Sequence, residues 1–154
     1  MAEHTVHRSL GAAASWQSEL RAQRLAQLQT MTQQDVQALV DEMTSTTHLP
    51  RLSMHFKRHG HEFGAATEGA YQQLFREHAR LSSLRRFTFL MRADNARMWY
   101  LIDEASGSIA AYNESRKRYW SFFRATDVPR LLGRMRGAWV EVVLTEAGWR
   151  HQLW

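Results

Sequence analysis

The feature that most restricts the fold is a change of hydrophobic period close to residue 84. Before it, apolar residues recur at helical spacing. Trp16, Leu20, Leu25 and Leu28 mark one amphipathic stretch from Ser15 to about Gln29, and Val36, Leu39, Val40 and Met43 mark a second. Thr32 followed by Asp35 predicts an N-cap pairing that opens the second helix, and the Thr/Ser run at 44–47 with Pro50 ends it. Leu52 to His59 reads as a short helix with Gly60 as its stop, and Phe63-Gly64 as a turn. Thr67 caps a helix to about Arg80 with Tyr71, Leu74, Phe75 and Leu81 facing inward. After it, Phe87, Phe89 and Met91 alternate with Thr88 and Leu90, and Met98–Ile102 reads as a strand core. Glu104–Ser108 is a hairpin turn into Ile109–Tyr112, and Asn113–Lys117 a second turn into Tyr119–Phe123. Thr126 caps a short helix with Pro129 in its first turn and Leu131 and Leu132 buried, and Trp139–Leu144 is the final strand. Helices first and a twisted antiparallel β-sheet meander second define an α+β fold.

A chain of 154 residues, 44% of them hydrophobic, suits a single core. Cysteine is absent, which excludes disulfides, thiolate metal sites and a cysteine nucleophile together. No apolar run approaches the ~20 residues of a spanning helix, so a soluble chain without a membrane anchor is expected. Residues 1–12 are small and polar and read as frayed, and residues 1–14 lack the pattern of a signal peptide. An export address, if there is one, lies elsewhere, such as on a larger precursor. Residues 1–50 read as a helical N-terminal extension or linker, and residues 51–154 as the functional domain.

Charge separates the same segments. Residues 1–50 carry a net −2, residues 51–136 a net +8 and residues 137–154 a net −1. Of the twenty basic residues only Lys57 and Lys117 are lysine. Bidentate phosphate binding and base stacking favour arginine in this way, which points to a polyanionic partner. An arginine-rich codon usage with solvated faces would give the same composition.

The densest chemistry lies in His55-Phe56-Lys57-Arg58-His59-Gly60-His61-Glu62-Phe63-Gly64. On a helix His55 and His59, at i and i+4, share a face. Three readings fit. A His-x3-His pair could chelate zinc with His61 or Glu62, although no H-E-x-x-H arrangement exists and Lys57 and Arg58 would repel a dication. A solvated basic helix end is the second reading. The third is phosphodiester cleavage without a metal: RNA supplies its own 2′-OH nucleophile, histidines move protons near neutrality, and adjacent cations stabilise the phosphorane charge.

The run Lys57-Arg58-His59-Gly60-His61-Glu62-Phe63-Gly64 resembles the basic-basic-His-x-x-acid-Phe-Gly signature of the colicin D type of RNase toxins, within the barnase–EndoU–colicin–RelE superfamily. That superfamily also supplies C-terminal toxin domains of polymorphic and contact-dependent inhibition systems. The likeness covers about residues 51–125 and includes Tyr119-Trp120-Ser121-Phe122-Phe123-Arg124 at the place of a late-strand Ser-x-Trp element. It implies a barnase/RelE-like sheet, His59 as the catalytic histidine, Arg58 as its adjacent cation, and Ser121 as a hydrogen-bond donor near the scissile phosphate. The family's second lysine falls on Phe56, so Lys57 or His55 would act from a neighbouring position; Phe123 stands where the family has Trp. The likeness further implies a metal- and cofactor-independent tRNase, delivered from a producing cell to act in the cytoplasm of its target, with a cognate acidic immunity protein.

The residues of the last predicted hairpin agree. Arg116-Lys117-Arg118 runs into Tyr119, Trp120, Phe122, Phe123 and Arg124, interleaving cations with aromatics as unpaired RNA bases require. Period two puts Tyr119, Ser121 and Phe123 on one face and Trp120, Phe122 and Arg124 on the other. Lys117, Arg118, Tyr119, Phe123 and Arg124 are the expected substrate contacts; equally, both aromatic sets could be core. His78 reads as structural or exposed, and Glu62 as a local partner of the cations. A non-catalytic nucleic-acid-binding module, or an interaction domain for an acidic protein, would use the same basic surface without turnover.

Overall fold

The computed structural model describes residues 15–154; the expectations for residues 1–14, His4 and His7 among them, lie outside the described residues. Four helices come first: α1 Ser15–Gln29, α2 Gln33–Ser45, α3 Leu52–His59 and, after a 3-10 turn at Gly60–Phe63, α4 Glu68–Ala79. Strands β1 Arg85–Leu90, β2 Arg97–Ile102, β3 Ser108–Asn113 and β4 Arg118–Arg124 form the antiparallel meander. Helix α5, Val128–Arg134, then carries the chain back so that β5 Val140–Thr145 pairs with β1 and β6 Gly148–Leu153 closes the sheet, in the order β4-β3-β2-β1-β5-β6. The α+β class is as expected. β6 is an addition: on an edge strand only alternate side chains pack, and Gly148-Trp149-Arg150-His151-Gln152-Leu153 has little apolar alternation.

The sheet has two cores. Trp99, Leu101, Ala110, Tyr112, Tyr119 and Phe122 on one face meet α2 and α4 through Val36, Leu39, Val40, Met43, Tyr71 and Phe75. Phe87, Ile102, Ile109 and Trp139 on the other meet Val128 and Leu132 of α5. The Thr32–Asp35 capping box forms as predicted, and Val36, Leu39, Val40 and Met43 are all buried. α2 crosses the sheet: Gln33 exchanges hydrogen bonds with the Trp149 backbone at β6, while the Tyr112 and Tyr119 hydroxyls donate to Glu42 Oε1 and the Met43 carbonyl. Residues 15–50 are thus built into the same core as the rest. Two local expectations shift. Leu81 is exposed rather than inward-facing. Asp127, not Thr126, caps α5 through Oδ1, which accepts from the Arg130 N–H at 3.1 Å. α3 ends at His59 with Gly60 as its C-cap, as expected; Gly60 is right-handed, and Gly64 (φ 67°) ends the 3-10 turn. Gly60 is needed for space, since a Cβ there would lie 2.6 Å from the Phe56 ring.

Buried polar groups tie α1 to the sheet. Arg24, 1% exposed, donates to Thr88 Oγ1 at 2.8 Å and to Glu114 Oε1 at 2.5 Å. Glu114 also accepts from Arg97 Nε at 2.5 Å and Trp99 Nε1 at 2.8 Å. His78 bonds Ser108 Oγ and the Leu101 carbonyl, a structural role. Burial lowers its pKa, and burial likewise leads the downward shifts of His55 and His151. A histidine with a lowered folded pKa binds fewer protons than its unfolded counterpart, so stability falls as pH drops below the ordinary value of 6.5. The thermal midpoint is therefore expected to decline from about pH 7.5 to about pH 5.5, by roughly 2–4 °C for each kcal/mol lost. Circular-dichroism melts check this; a midpoint that rises across the interval would contradict it.

Candidate active site

α3 lies along the β4 edge of the sheet. Its direction is fixed by Phe56, whose ring packs 6.2 Å from Tyr71 in the helical core. That contact turns the flank carrying His55 and His59 toward β4. Their rings stack at 6.4 Å with planes 17° apart, and His59 lies 6.0 Å from Phe123. Phe123 in turn meets Tyr100 edge-on at 6.0 Å.

The 3-10 turn brings Glu62 back under His59. Glu62 Oε2 is 2.8 Å from His59 Nδ1, while Oε1 accepts the Arg124 backbone N–H at 2.9 Å. With Nδ1 hydrogen-bonded to the carboxylate, the ring is held in the tautomer that presents Nε2 as the group available for proton transfer. His55 is 5% exposed, and its Nδ1 is buried without a hydrogen-bond partner. Burial first, then the charges of His59, Arg58 and Arg51, push its pKa down, against a smaller opposing effect of the Trp120 backbone; His55 is neutral at neutral pH.

His55 and Arg58 form one wall of a cleft of about 380 Å³ between α3 and the β3–β4 hairpin. Arg116, Arg118, Trp120 and Ser121 line the other side, Arg51 stands at the start of α3, and Asp94 is the single carboxylate among the lining residues. Arg51, Asn95 and Lys117 are the non-glycine residues with positive φ among the described residues. Each is a lining residue or the chain neighbour of one. A left-handed non-glycine residue costs about 1–2 kcal/mol, and such strain gathers where the surrounding chain holds a functional shape.

Of the expected site residues the structure brings together His55, Arg58, His59, Ser121 and Phe123, with Arg118 on the cleft wall. Three others fall elsewhere, and a fourth, Tyr119, lines the cleft only from within the core. Lys57 is two residues from both histidines, so the helical turn sends it to the far side of α3, exposed and away from the cleft. Lys117 is at the hairpin tip between Arg116 and Arg118, which line the cleft while it does not. Tyr119 is 1% exposed, packed on Phe75 and Tyr112, and unavailable for stacking on a base. Arg124 donates Nε to the Ser106 carbonyl at 2.6 Å and Nη1 to the Glu62 carbonyl at 3.3 Å, so its guanidinium braces the Glu62 turn.

A bulge in β4 separates the observed faces from the expected ones. Tyr112 pairs with Tyr119 but Ala111 pairs with Ser121, so Trp120 is an extra residue in β4, a β-bulge. The bulge breaks period two: Tyr119 and Phe122 both enter the helical core, while Phe123 joins the opposite face. Residues outside the predicted set are Tyr100, Trp120, Arg51, Arg116 and Glu62 in its role on His59. Glu62, at i+3 from His59, and Arg116 and Trp120, within the interleaved basic and aromatic run, carried a legible signal; Tyr100 and Arg51 did not. Among the described residues no group of three His, Asp and Glu side chains is placed to hold a metal ion, and no helix is long and apolar enough to cross a membrane. No family model, curated protein or solved structure matches this chain.

Proposed function

We propose that the chain is a metal-independent endoribonuclease of the colicin D toxin type, cutting tRNA or other single-stranded RNA by 2′-OH attack. The observation that carries this reading is the stacked pair His55 and His59, the second held by Glu62 through Nδ1, at the edge of an arginine-lined cleft. His55, neutral and facing the cleft, removes the 2′-OH proton. His59, fixed by Glu62 on Nδ1, delivers a proton from Nε2 to the departing 5′-oxygen. Arg58 cannot transfer protons at neutral pH and acts on the charge that develops on the phosphate oxygens, to which Ser121 adds a hydroxyl donor. The products are a 2′,3′-cyclic phosphate and a 5′-OH. In this reading the enzyme is delivered into the cytoplasm of a target cell, and an acidic immunity protein covers the cleft in the producer.

Incubation of the purified chain with total tRNA in EDTA tests the proposal. Cleavage at a rate unaffected by the chelator is expected. Cleavage restored only by added zinc would overturn the metal-independent chemistry. Tight RNA binding with no cleavage would replace the enzyme by a nucleic-acid-binding module.

A further inference from the structure

Trp120 is 51% exposed, yet it belongs to a strand whose other aromatic residues, Tyr119, Phe122 and Phe123, are buried or half-buried. The bulge explains how. Because Ala111 and Tyr112 pair with Ser121 and Tyr119, Trp120 alone lacks a residue opposite and leaves the pleat. Trp120 lines the same cleft as Arg116 and Arg118 from the hairpin, Arg58 from α3 and Arg51 just before it. His55 lines the same cleft from α3. An exposed tryptophan set among arginines matches one ligand chemistry: a planar, unpaired nucleobase carrying a phosphate.

We infer that Trp120 is a base-stacking platform, which holds one unpaired nucleobase while the cleft arginines hold its adjoining phosphate. The inference rests on the reading of the cleft as an RNA site and adds to it the part of the substrate that is gripped. A flipped-out base on Trp120 fixes the strand's direction across the cleft and so selects which phosphate meets His59. Selection of that kind favours loops over duplex, because a paired base cannot reach the indole.

The test uses a single-stranded 2′-O-methyl RNA oligonucleotide, whose 2′-oxygen carries no proton and so cannot attack. Titrated into the wild-type chain it should quench tryptophan fluorescence, and most of the quench should vanish in Trp120→Phe. Affinity should fall about tenfold or more in Trp120→Ala and stay within a few-fold of wild type in Trp120→Phe, as one lost base–aromatic stack requires. The slope of log affinity against log salt should stay unchanged in Trp120→Ala but drop by about one in Arg118→Ala, which separates stacking from phosphate contact. Wild-type affinity in a folded Trp120→Ala variant would overturn the inference. A wild-type chain that binds the oligonucleotide but leaves tRNA uncut would sink the nuclease reading, and the Trp120 variants would still decide the stacking platform. Failure of the wild-type chain to bind any single-stranded oligonucleotide would overturn both.

Discussion

His59→Ala is expected to lower single-turnover tRNA cleavage by ~10² or more, the loss that follows removal of a general acid or base. Its fold should survive, because His59 is half-buried at the end of α3 and its polar partner is the local Glu62. Glu62→Gln separates chemistry from positioning. The amide carries no charge and has one accepting oxygen, so it keeps either the Nδ1 bond or the Arg124 N–H bond; activity should fall between wild type and His59→Ala with RNA affinity retained. Arg58→Ala should match His59→Ala within a small factor, since it removes charge stabilisation at the phosphorane, ~10² or more. His55→Ala should cost as much as His59→Ala if His55 takes the 2′-OH proton. Rates measured after circular dichroism has shown each variant folded decide the set; a folded His59→Ala variant cleaving at the wild-type rate would end the assignment.

The largest expected stability loss is at Glu114. Burial alone would raise the pKa of its carboxyl, but the Arg24 charge and hydrogen bonds from Trp99, Arg24 and Arg97 outweigh it and hold the group below its ordinary value. Arg24 experiences the reverse balance: burial lowers its pKa more than Glu114 restores it, so this guanidinium depends on its partner. Glu114→Ala leaves Arg24 charged and buried without its counterion, at a cost of about 3–5 kcal/mol. Against a typical stability of about 5–15 kcal/mol that is a loss of roughly 6–20 °C in the thermal midpoint. Replacing both partners, as in Arg24→Met with Glu114→Leu, should be milder than Glu114→Ala, because no uncompensated charge is left behind. The sign with pH follows from the lowered carboxyl: its contribution is present above the ordinary value of 4.5 and disappears as pH falls through the folded value. Thermal melts of the three proteins check both statements, and a Glu114→Ala variant as stable as wild type would contradict them.

Sequence pattern was legible wherever one physical cause acted alone. The α2 quartet Val36, Leu39, Val40 and Met43 follows helical period, and its capping box follows local hydrogen bonding. The His55–His59 pair follows the i,i+4 rule. What stayed hidden needed two causes together. The β-bulge at Trp120 depends on how β3 and β4 pair, and no residue in Tyr119–Phe123 marks it, so the strand's faces were misassigned after that point. Lys57 was drawn in by the motif although the turn of the helix sends it away from both histidines. Arg124 reads as a substrate contact and Glu62 as a local partner of the cations in its motif, whereas the fold makes one brace the other beneath His59. β6 escaped because an edge strand needs little apolar alternation.

Chemistry at the cut ends tests the central claim most directly. With tRNA as substrate and EDTA present, the 5′ fragment should end in a 2′,3′-cyclic phosphate and the 3′ fragment should begin with a 5′-OH. His59→Ala should yield neither end. Fragments carrying a 3′-OH and a 5′-phosphate, formed only when a divalent metal is supplied, would contradict the account.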